Sequence, residues 1–291
     1  SGEFVRSAHR LHERVVAPVL PLLSAKELLI VPGGPLGAVN FEVLCSAPGT
    51  KDFLRHLLIQ RYTISYLLSA TTALQFEDLG TDHTKGVLAM APGFTEQVKQ
   101  DYLKHMPDSS SADQLFLHYV RQPFAVRTAQ ALGRSASATV ITGSQASEMA
   151  FRRTAATYGI LFLGTHAEVN PVAPMYSRLV LSKDGAGQAS EGDGYLHAYE
   201  IFELDLRAQL AVIAACESGS GRFDPGEGMR SLGANFAYAG CPSLVMALWR
   251  IDEKATAAIL ARFHGKLAQG MPKNQALRQA KLEHLANAQD E

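Results

Sequence analysis

Six short apolar segments, most of them closed by turn residues, constrain the fold more than any other feature of this sequence. Each is mainly apolar and shows no alternation with polar residues, as expected of a strand buried on both faces of a sheet. Segments with helical spacing fill the gaps between them. The sequence therefore predicts an α/β fold with a mostly parallel sheet flanked by helices. The six segments are KELLIV (26–31), VLAM (87–90), TVI (139–141), ILFL (160–163), LAVIAAC (210–216) and SLVMAL (243–248).

Helical spacing predicts four helices, at 146–158, 228–239, 252–269 and 274–288. The letters SQASE before Met149 supply a hydroxyl cap and an acid at the start of the first of them. Residues 95–122 are polar and have no period, which indicates a surface insertion or loop. We expect residues 1–80 to form an N-terminal part and 81–291 a core with this insertion. We expect both to belong to one structural unit taken from a longer protein.

Composition narrows the class of partner. The 291 residues carry a net charge of −1 without a long basic run, which argues against nucleic acid and membrane surfaces as partners. No apolar run approaches the roughly 20 residues of a membrane-spanning helix. Three cysteines, Cys45, Cys216 and Cys241, form no CxxC pair, which argues against a disulfide framework or a structural zinc site. A reducing cytoplasm is the expected setting.

Two reactive side chains follow consecutive buried segments. His166 ends GILFLGTH and Cys216 ends LAVIAAC. Functional residues collect at the carboxyl ends of parallel strands, and consecutive strands are usually neighbours, so we expect the imidazole and the thiol to face each other. His166 would act as base and Cys216 as nucleophile toward a peptide carbonyl. The N–H groups of Ala167 and Cys216 would stabilise the oxyanion from loops directly after the strands.

A second chemistry fits the same cysteine. Cys216 to Arg222 satisfies the C-x5-R pattern of cysteine phosphatases, whose loop holds a phosphate with N–H groups and an arginine. Glu217 beside the nucleophile would repel a phosphate dianion, and Asp224 and Glu227 make the following loop acidic. This pattern is therefore the weaker interpretation.

Beyond this pair, the sequence resembles the CHAT domain family, caspase-like and separase-like cysteine peptidases of clan CD that are often found behind tetratricopeptide repeats. The resemblance starts at LLIVPGGPLGAVNFEVL, continues through RYTISYLLSATTAL and ILFLGTHA, and is strongest over residues 193–281. It implies a caspase-like fold with helices on both faces of the sheet. It also implies a cysteine endopeptidase with His166 and Cys216 as the dyad, which needs no cofactor or metal.

Departures from the family pattern bear on specificity. The family usually has glycine after the histidine, where this chain has Ala167. Ala214 stands where caspases have a glutamine that helps to hold an aspartate, so specificity for aspartate is not expected. Glu217, Asp224 and Glu227 are candidates for a pocket that favours a basic side chain. Glu227 and Asp252 also suit the role of acids at the starts of the helices that follow.

The resemblance leaves two functions open. The first is an endopeptidase that cuts protein substrates and is regulated by tetratricopeptide-like N-terminal repeats or by an activating partner. The second is a catalytically silent scaffold that uses the fold for protein interactions. Loss of His166 or Cys216 would favour the scaffold, and both residues are present.

Overall fold

A computed structural model of the chain describes residues 2–49, 52–69, 85–106, 112–134, 137–183, 192–216, 218–219, 221–224 and 228–287. The chain divides into two compact units. Unit 1 comprises Ser1–Ala73 and Ala258–Glu291, and unit 2 comprises Leu74–Ala257. The C-terminal residues thus group with the N-terminal part of the chain, whereas the sequence predicts that they belong to the core. The boundary near residue 80 stays a prediction.

The bounds of the elements follow chain order. The strands are β1 (Glu27–Ile30), β2 (Thr63–Tyr66), β3 (Lys85–Ala91), β4 (Ala138–Thr142), β5 (Tyr158–Gly164), β6 (His166–Glu168), β7 (Arg178–Val180), β8 (Tyr195–His197), β9 (Leu210–Ala214), β10 (Gly221–Asp224), β11 (Gly228–Ser231) and β12 (Leu244–Val245). The α-helices are α1 (Gly2–Val15), α2 (Glu96–Leu103), α3 (Gln114–His118), α4 (Pro123–Leu132), α5 (Glu148–Thr154), α6 (Ala198–Phe202), α7 (Leu232–Tyr238), α8 (Glu253–Ala268) and α9 (Lys273–Asn287).

A five-stranded parallel sheet forms the centre of unit 2, in the order β12-β9-β5-β3-β4. Five of the six predicted strands lie in it, so the predicted α/β class with a parallel sheet is confirmed. The apolar residues of the inner strands are buried because they have neighbours on both sides and packing on their faces. Leu88, Leu161, Leu163 and Ile213 belong to the largest hydrophobic cluster of the described residues.

The remaining predicted strand differs from its expectation. β1 pairs in parallel with β2 in a separate two-stranded sheet of unit 1. Its residues alternate between exposed and partly buried, and Leu29 is 67% exposed. The prediction that this strand is buried on both faces was wrong, because a continuous apolar run does not show how many neighbours a strand will have.

A small antiparallel sheet, in the order β6-β7-β8, forms part of the connection between β5 and β9. β6 starts at His166, only two residues after β5 ends at Gly164. The chain therefore leaves the parallel sheet and enters the antiparallel one within a single turn. This change of direction occurs at the candidate histidine.

The segment 95–122 is not a structureless loop, so that alternative was wrong, while its interpretation as an insertion stays a prediction. It contains α2 and α3, and Thr95 and Asp113 cap the two helices with their side chains. Phe116 and Tyr102 are buried with Phe94 in a second cluster of unit 2. The burial of widely spaced aromatic residues thus stabilises helices in a polar segment whose sequence has no helical period. Residues 107–111 lie outside the described part of the chain.

Each of the four predicted helices has an α-helix at its position, but not with all the predicted bounds. Ser147 caps α5 by accepting a hydrogen bond from the Ala150 N–H at 3.2 Å, which confirms the predicted hydroxyl cap. The predicted helix at 228–239 is wrong in its first half, because residues 228–231 form β11 and pair with β10 as an antiparallel hairpin. Only α7 remains helical there. α8 and α9 match their predicted positions closely.

Unit 1 has its own hydrophobic clusters. Val5, Ala8 and His12 are the buried residues of α1, at spacings of three and four that place them on one face of the helix. Val5 and Ala8 pack in a cluster with Cys45, to which Leu282 and Leu285 of α9 also contribute. Within the described residues, no helix is both long enough and apolar enough to cross a membrane.

Candidate functional site

His166 and Cys216 follow two strands that pair directly. β5 and β9 are parallel neighbours, and Gly164 is the partner of Ala214 in their register. The Thr165 N–H also donates to the Ala214 carbonyl at 3.3 Å, which extends the ladder by one bond. Each candidate residue lies two positions beyond this pair, so both follow the carboxyl ends of adjacent strands, where sites in parallel sheets are built.

One nitrogen of the His166 ring is committed to the backbone. Nε2 lies 2.8 Å from the carbonyl oxygen of Val120. A carbonyl oxygen only accepts hydrogen bonds, so Nε2 carries a proton and donates it. In the neutral ring, Nδ1 then holds the lone pair. Nδ1 is therefore the nitrogen that is able to take a proton from a nucleophile.

Two aromatic rings flank the imidazole. The Phe94 ring lies 4.9 Å from it between centroids, tilted by 49°, and the Tyr119 ring stacks on it at 5.1 Å and 20°. Phe94 is fully buried and follows β3 in a left-handed conformation, with φ of 46°, directly after Gly93. The turn after β3 thus places an aromatic ring against the histidine that follows the neighbouring strand β5.

Burial lowers the pKa of His166, while the bond to Val120 and the charges of Glu253 and Glu168 act in the opposite direction. The net direction is downward because the two aromatic neighbours and the surrounding protein exclude the water that an imidazolium needs. The imidazole is therefore neutral around pH 7, which is the form that accepts a proton.

Glu168, two residues beyond His166, is held by two partners. Its Oε1 accepts a hydrogen bond from the Tyr119 hydroxyl, and its Oε2 accepts one from Arg178 Nε at 2.7 Å. The Arg178 guanidinium also lies 3.6 Å above the centre of the Tyr195 ring. These contacts connect Tyr119, and with it one wall of the imidazole site, to the antiparallel sheet.

The thiol of Cys216 is free and partly exposed. Cys216 lies in a turn just past the end of β9, as the sequence analysis expected for a donor N–H after a strand. Ala167 differs from its expectation, because it is the middle residue of β6 and lies opposite Leu179 rather than in a loop. The prediction that both donor residues lie in loops is thus correct for Cys216 and wrong for Ala167.

The four candidate specificity residues lie in different settings. Ala214 is the last residue of β9 and partly buried, at the same sheet edge as the dyad. Asp224 is the last residue of β10, opposite Gly228. Glu217 and Glu227 lie outside the described residues. The proposed role of Asp252 as a helix-cap acid is confirmed, because its Oδ1 accepts a hydrogen bond from the Ala255 N–H at 2.7 Å in the first turn of α8.

The phosphatase pattern has the wrong local structure. A phosphate loop of this kind uses the N–H groups at the start of a helix. Arg222 instead lies in β10, whose backbone pairs with β11. β10 and β11 thus pair as antiparallel strands where the pattern requires a helix, and α7 starts ten residues after Arg222.

A possible metal-binding group lies in unit 1. His9, His12 and Glu13 of α1 each offer one ligand atom, and these atoms lie within 4.8 Å of one another. Protein contacts already account for part of the group, because His12 Nδ1 pairs with Glu13 Oε1 at 3.1 Å and His9 Nδ1 with the Cys45 carbonyl at 3.1 Å. This group therefore lies in a different unit from His166 and Cys216, which belong to unit 2.

Sequence reasoning missed the residues that orient the histidine. Val120 contributes only its backbone carbonyl, so no side-chain pattern could have indicated it. Tyr119 lies in the segment that was interpreted as an insertion. Phe94 offered a usable signal, because it follows the turn after β3 just as His166 and Cys216 follow the ends of their strands.

Comparison with known proteins places the chain in a family. No curated protein matches it. The family model described as "CHAT domain" matches residues 5–291, which is almost the whole sequence. The family is related to caspase-like peptidases. This chain therefore belongs to the CHAT domain family.

Proposed function

We propose that this protein is a cysteine endopeptidase with a caspase-like fold and a His166–Cys216 dyad. The observation that supports it best is the hydrogen bond from His166 Nε2 to the Val120 carbonyl. This bond leaves Nδ1 as the basic atom of an imidazole that follows the strand next to that of Cys216.

The reaction follows the general course of acyl transfer to a thiol. Nδ1 of His166 takes the thiol proton, and Sγ of Cys216 attacks the peptide carbonyl carbon. The tetrahedral intermediate collapses as the imidazolium returns the proton to the leaving amine, which leaves a thioester on Cys216. Water, deprotonated by the same imidazole, then releases the carboxylate and restores the thiol. We assign the stabilisation of the oxyanion to the N–H groups of Cys216 and Ala167.

The acidic residues after the nucleophile support a preference for a basic side chain at the cleaved position. Glu217, Asp224 and Glu227 fall within eleven residues of Cys216 in the sequence, and Ala214 provides no amide to hold an aspartate. We further propose that tetratricopeptide-like repeats or an activating partner control the enzyme, since an unregulated peptidase would damage the cell that makes it.

The test is mass spectrometry of a proteome-derived peptide library incubated with the wild-type chain and with Cys216→Ala. We expect new termini only with the wild type, and their sequences give the preferred residue. Cys241→Ala is the matched control, because Cys241 also lies in unit 2 outside any disulfide but is fully buried. It should cut as the wild type does. No cleavage by any variant, with or without added repeat region, would favour the scaffold function instead.

One further variant separates the peptidase from the phosphatase chemistry. Arg222→Ala removes the arginine on which a C-x5-R phosphatase depends. We expect peptide cleavage to persist in this variant. Loss of hydrolysis of a small aryl phosphate on the same substitution, together with unchanged peptides, would instead support a phosphatase.

A further inference from the structure

The first turn of α4 is capped by a residue far away in the sequence. Gln122 precedes the helix, but its side chain makes no capping hydrogen bond, and Pro123 has no N–H to donate. The next two N–H groups, of Phe124 and Ala125, both donate to Oε1 of Glu253 at 2.7 and 2.9 Å. A carboxylate at a helix N-terminus gains from both hydrogen bonds and the helix dipole.

Gln122 is free of the capping role and connects two loops of the site. Its side-chain amide donates to the Thr165 carbonyl at 3.1 Å, directly before His166. Its backbone N–H donates to the Gly93 carbonyl at 3.0 Å, directly before Phe94. Gln122 therefore fixes the backbone at two positions, one residue before His166 and one residue before Phe94, whose ring packs against the imidazole.

The residues immediately before Gln122 complete the connection. Val120 accepts the hydrogen bond from His166 Nε2, and the Tyr119 ring stacks on the imidazole. We term residues 119–122 the strap. Its Tyr119 ring covers one face of the His166 imidazole, and its Val120 carbonyl accepts the hydrogen bond from Nε2. Its Gln122 side chain binds the carbonyl of Thr165, the residue before His166. The position of the strap depends on α4, whose N-terminus is held by Glu253.

We propose that Glu253 is a positioning residue for His166, acting through the N-terminus of α4 and the strap. The proposal rests on the proposed function, since it concerns the orientation of the dyad base. It extends that function by assigning a role to the Glu253 carboxylate, which in this proposal acts through α4 and the strap and does not bind the substrate. The negative charge of Glu253 also favours the imidazolium that forms during the reaction.

The test compares Glu253→Gln with Asp252→Asn. Both variants replace one carboxylate by its amide at adjacent positions, but Asp252 caps its own helix, α8. Two properties are measured without any substrate: the NMR titration of the His166 ring, assigned with His166→Gln, and the rate at which iodoacetamide alkylates Cys216. Because loss of the Glu253 charge lowers the pKa of His166 by itself, positioning is judged from the ring shifts of the neutral imidazole at the high-pH end of the titration. In Glu253→Gln we expect these shifts and the alkylation rate to change, with neither change in Asp252→Asn.

Several outcomes would overturn the proposal. If Glu253→Gln loses thermal stability but keeps the ring shifts of the neutral His166 and the alkylation rate of the wild type, Glu253 is only a helix cap. Equal changes in both variants would show a general effect of charge rather than positioning. If Glu253→Gln does not fold, Gln122→Met replaces it, because it removes the link to Thr165 without changing a charge. An unaltered His166 spectrum in Gln122→Met would contradict the proposal.

The peptidase assay provides a separate readout. With a peptide identified from the library, we expect kcat of Glu253→Gln to fall about tenfold at unchanged KM, as for a misplaced catalytic group. Failure of the wild type to cut any peptide would refute the proposed function but leave the two substrate-free measurements interpretable. Cleavage by the wild type, with Glu253→Gln equal to Asp252→Asn in every readout, would refute the positioning role alone.

Discussion

Gly164 and Ala214 are direct partners in the parallel ladder between β5 and β9, and His166 and Cys216 each follow two residues later. The backbone ladder thus sets the relation between imidazole and thiol before any side-chain contact does. Because side chains alternate along a strand, a shift of one residue in this register would place the two groups in different settings. The relative position of the two residues of the proposed dyad is therefore set by the sheet.

Replacement of His166 by glutamine separates orientation from basicity. We expect His166→Gln to keep a donor for the Val120 carbonyl but to lose the basic nitrogen. Its kcat/KM should fall by about 10²–10⁴-fold, the usual contribution of a positioned base, with little change in thermal stability. His166→Ala should lose the same activity and also stability. A His166→Gln variant that retains a tenth or more of the activity would exclude His166 as the base.

Glu148 should make the stability of unit 2 depend on pH. Its side chain is almost fully buried, and burial, with a smaller effect of Glu200, raises its pKa to about 7. Its Oε2 accepts the Gly194 N–H, and its Oε1 pairs with Arg152 at 3.2 Å. Because the folded state binds this proton more tightly than the unfolded state does, the contribution to stability is present at pH 4 and is lost as the pH rises through 7.

The variant Glu148→Gln tests this dependence. We expect it to be more stable than the wild type at pH 8, by about 1–3 kcal/mol, and close to it at pH 5. Urea unfolding of both proteins at the two pH values measures the difference. Glu96→Gln is the control, because Glu96 also lies in a first helical turn but its side chain is 72% exposed. A constant difference between pH 5 and 8 would show that Glu148 does not titrate in this range.

Gly164 should not tolerate a side chain. A Cβ at this position would lie 2.9 Å from the Cβ of Ala125 and 3.1 Å from the Phe162 ring, so α4 would have to move away from β5. We expect Gly164→Ala to cost about 1–3 kcal/mol of unfolding free energy, as overpacking usually does. Its thiol alkylation rate should change as well, because α4 carries the strap.

Gly265 provides the matched control for this substitution. It lies on an exposed part of α8, and a Cβ there would meet no atom within 4 Å. We expect Gly265→Ala to stabilise the protein by about 0.5–1 kcal/mol, since alanine favours a helix interior. Thermal unfolding of both variants checks the two opposite signs. Equal effects would show that the contact between Gly164 and Ala125 is unimportant.

The reach of the sequence can be judged from particular residues. His166 and Cys216 could be predicted because each follows an apolar strand segment, and the pairing of β5 with β9 confirms that their strands are neighbours. The location of β1 in a separate sheet could not be predicted, because the apolar residues of a strand do not identify the strand with which it pairs. β11 was interpreted as part of a helix, since the glycines and polar residues of the hairpin hide the alternation of a strand.

The strap was missed for a different reason. It lies in a polar segment without period, and its contact with the histidine is made by a carbonyl. Glu253 lies 129 residues after Phe124, so only the fold brings the two together. Local patterns thus indicated the two residues of the proposed dyad, whereas the groups that contact His166 depend on long-range contacts.

The bond from His166 to Val120 has a consequence for protein engineering. Its acceptor is a main-chain oxygen that every amino acid carries, so no substitution of the Val120 side chain removes it. The orientation of the imidazole is therefore encoded in the length and path of the chain between Gly93 and Pro123. To graft the proposed dyad into another scaffold, one would have to transfer that backbone path as well. A change in the length of this segment would be more harmful than most side-chain substitutions within it.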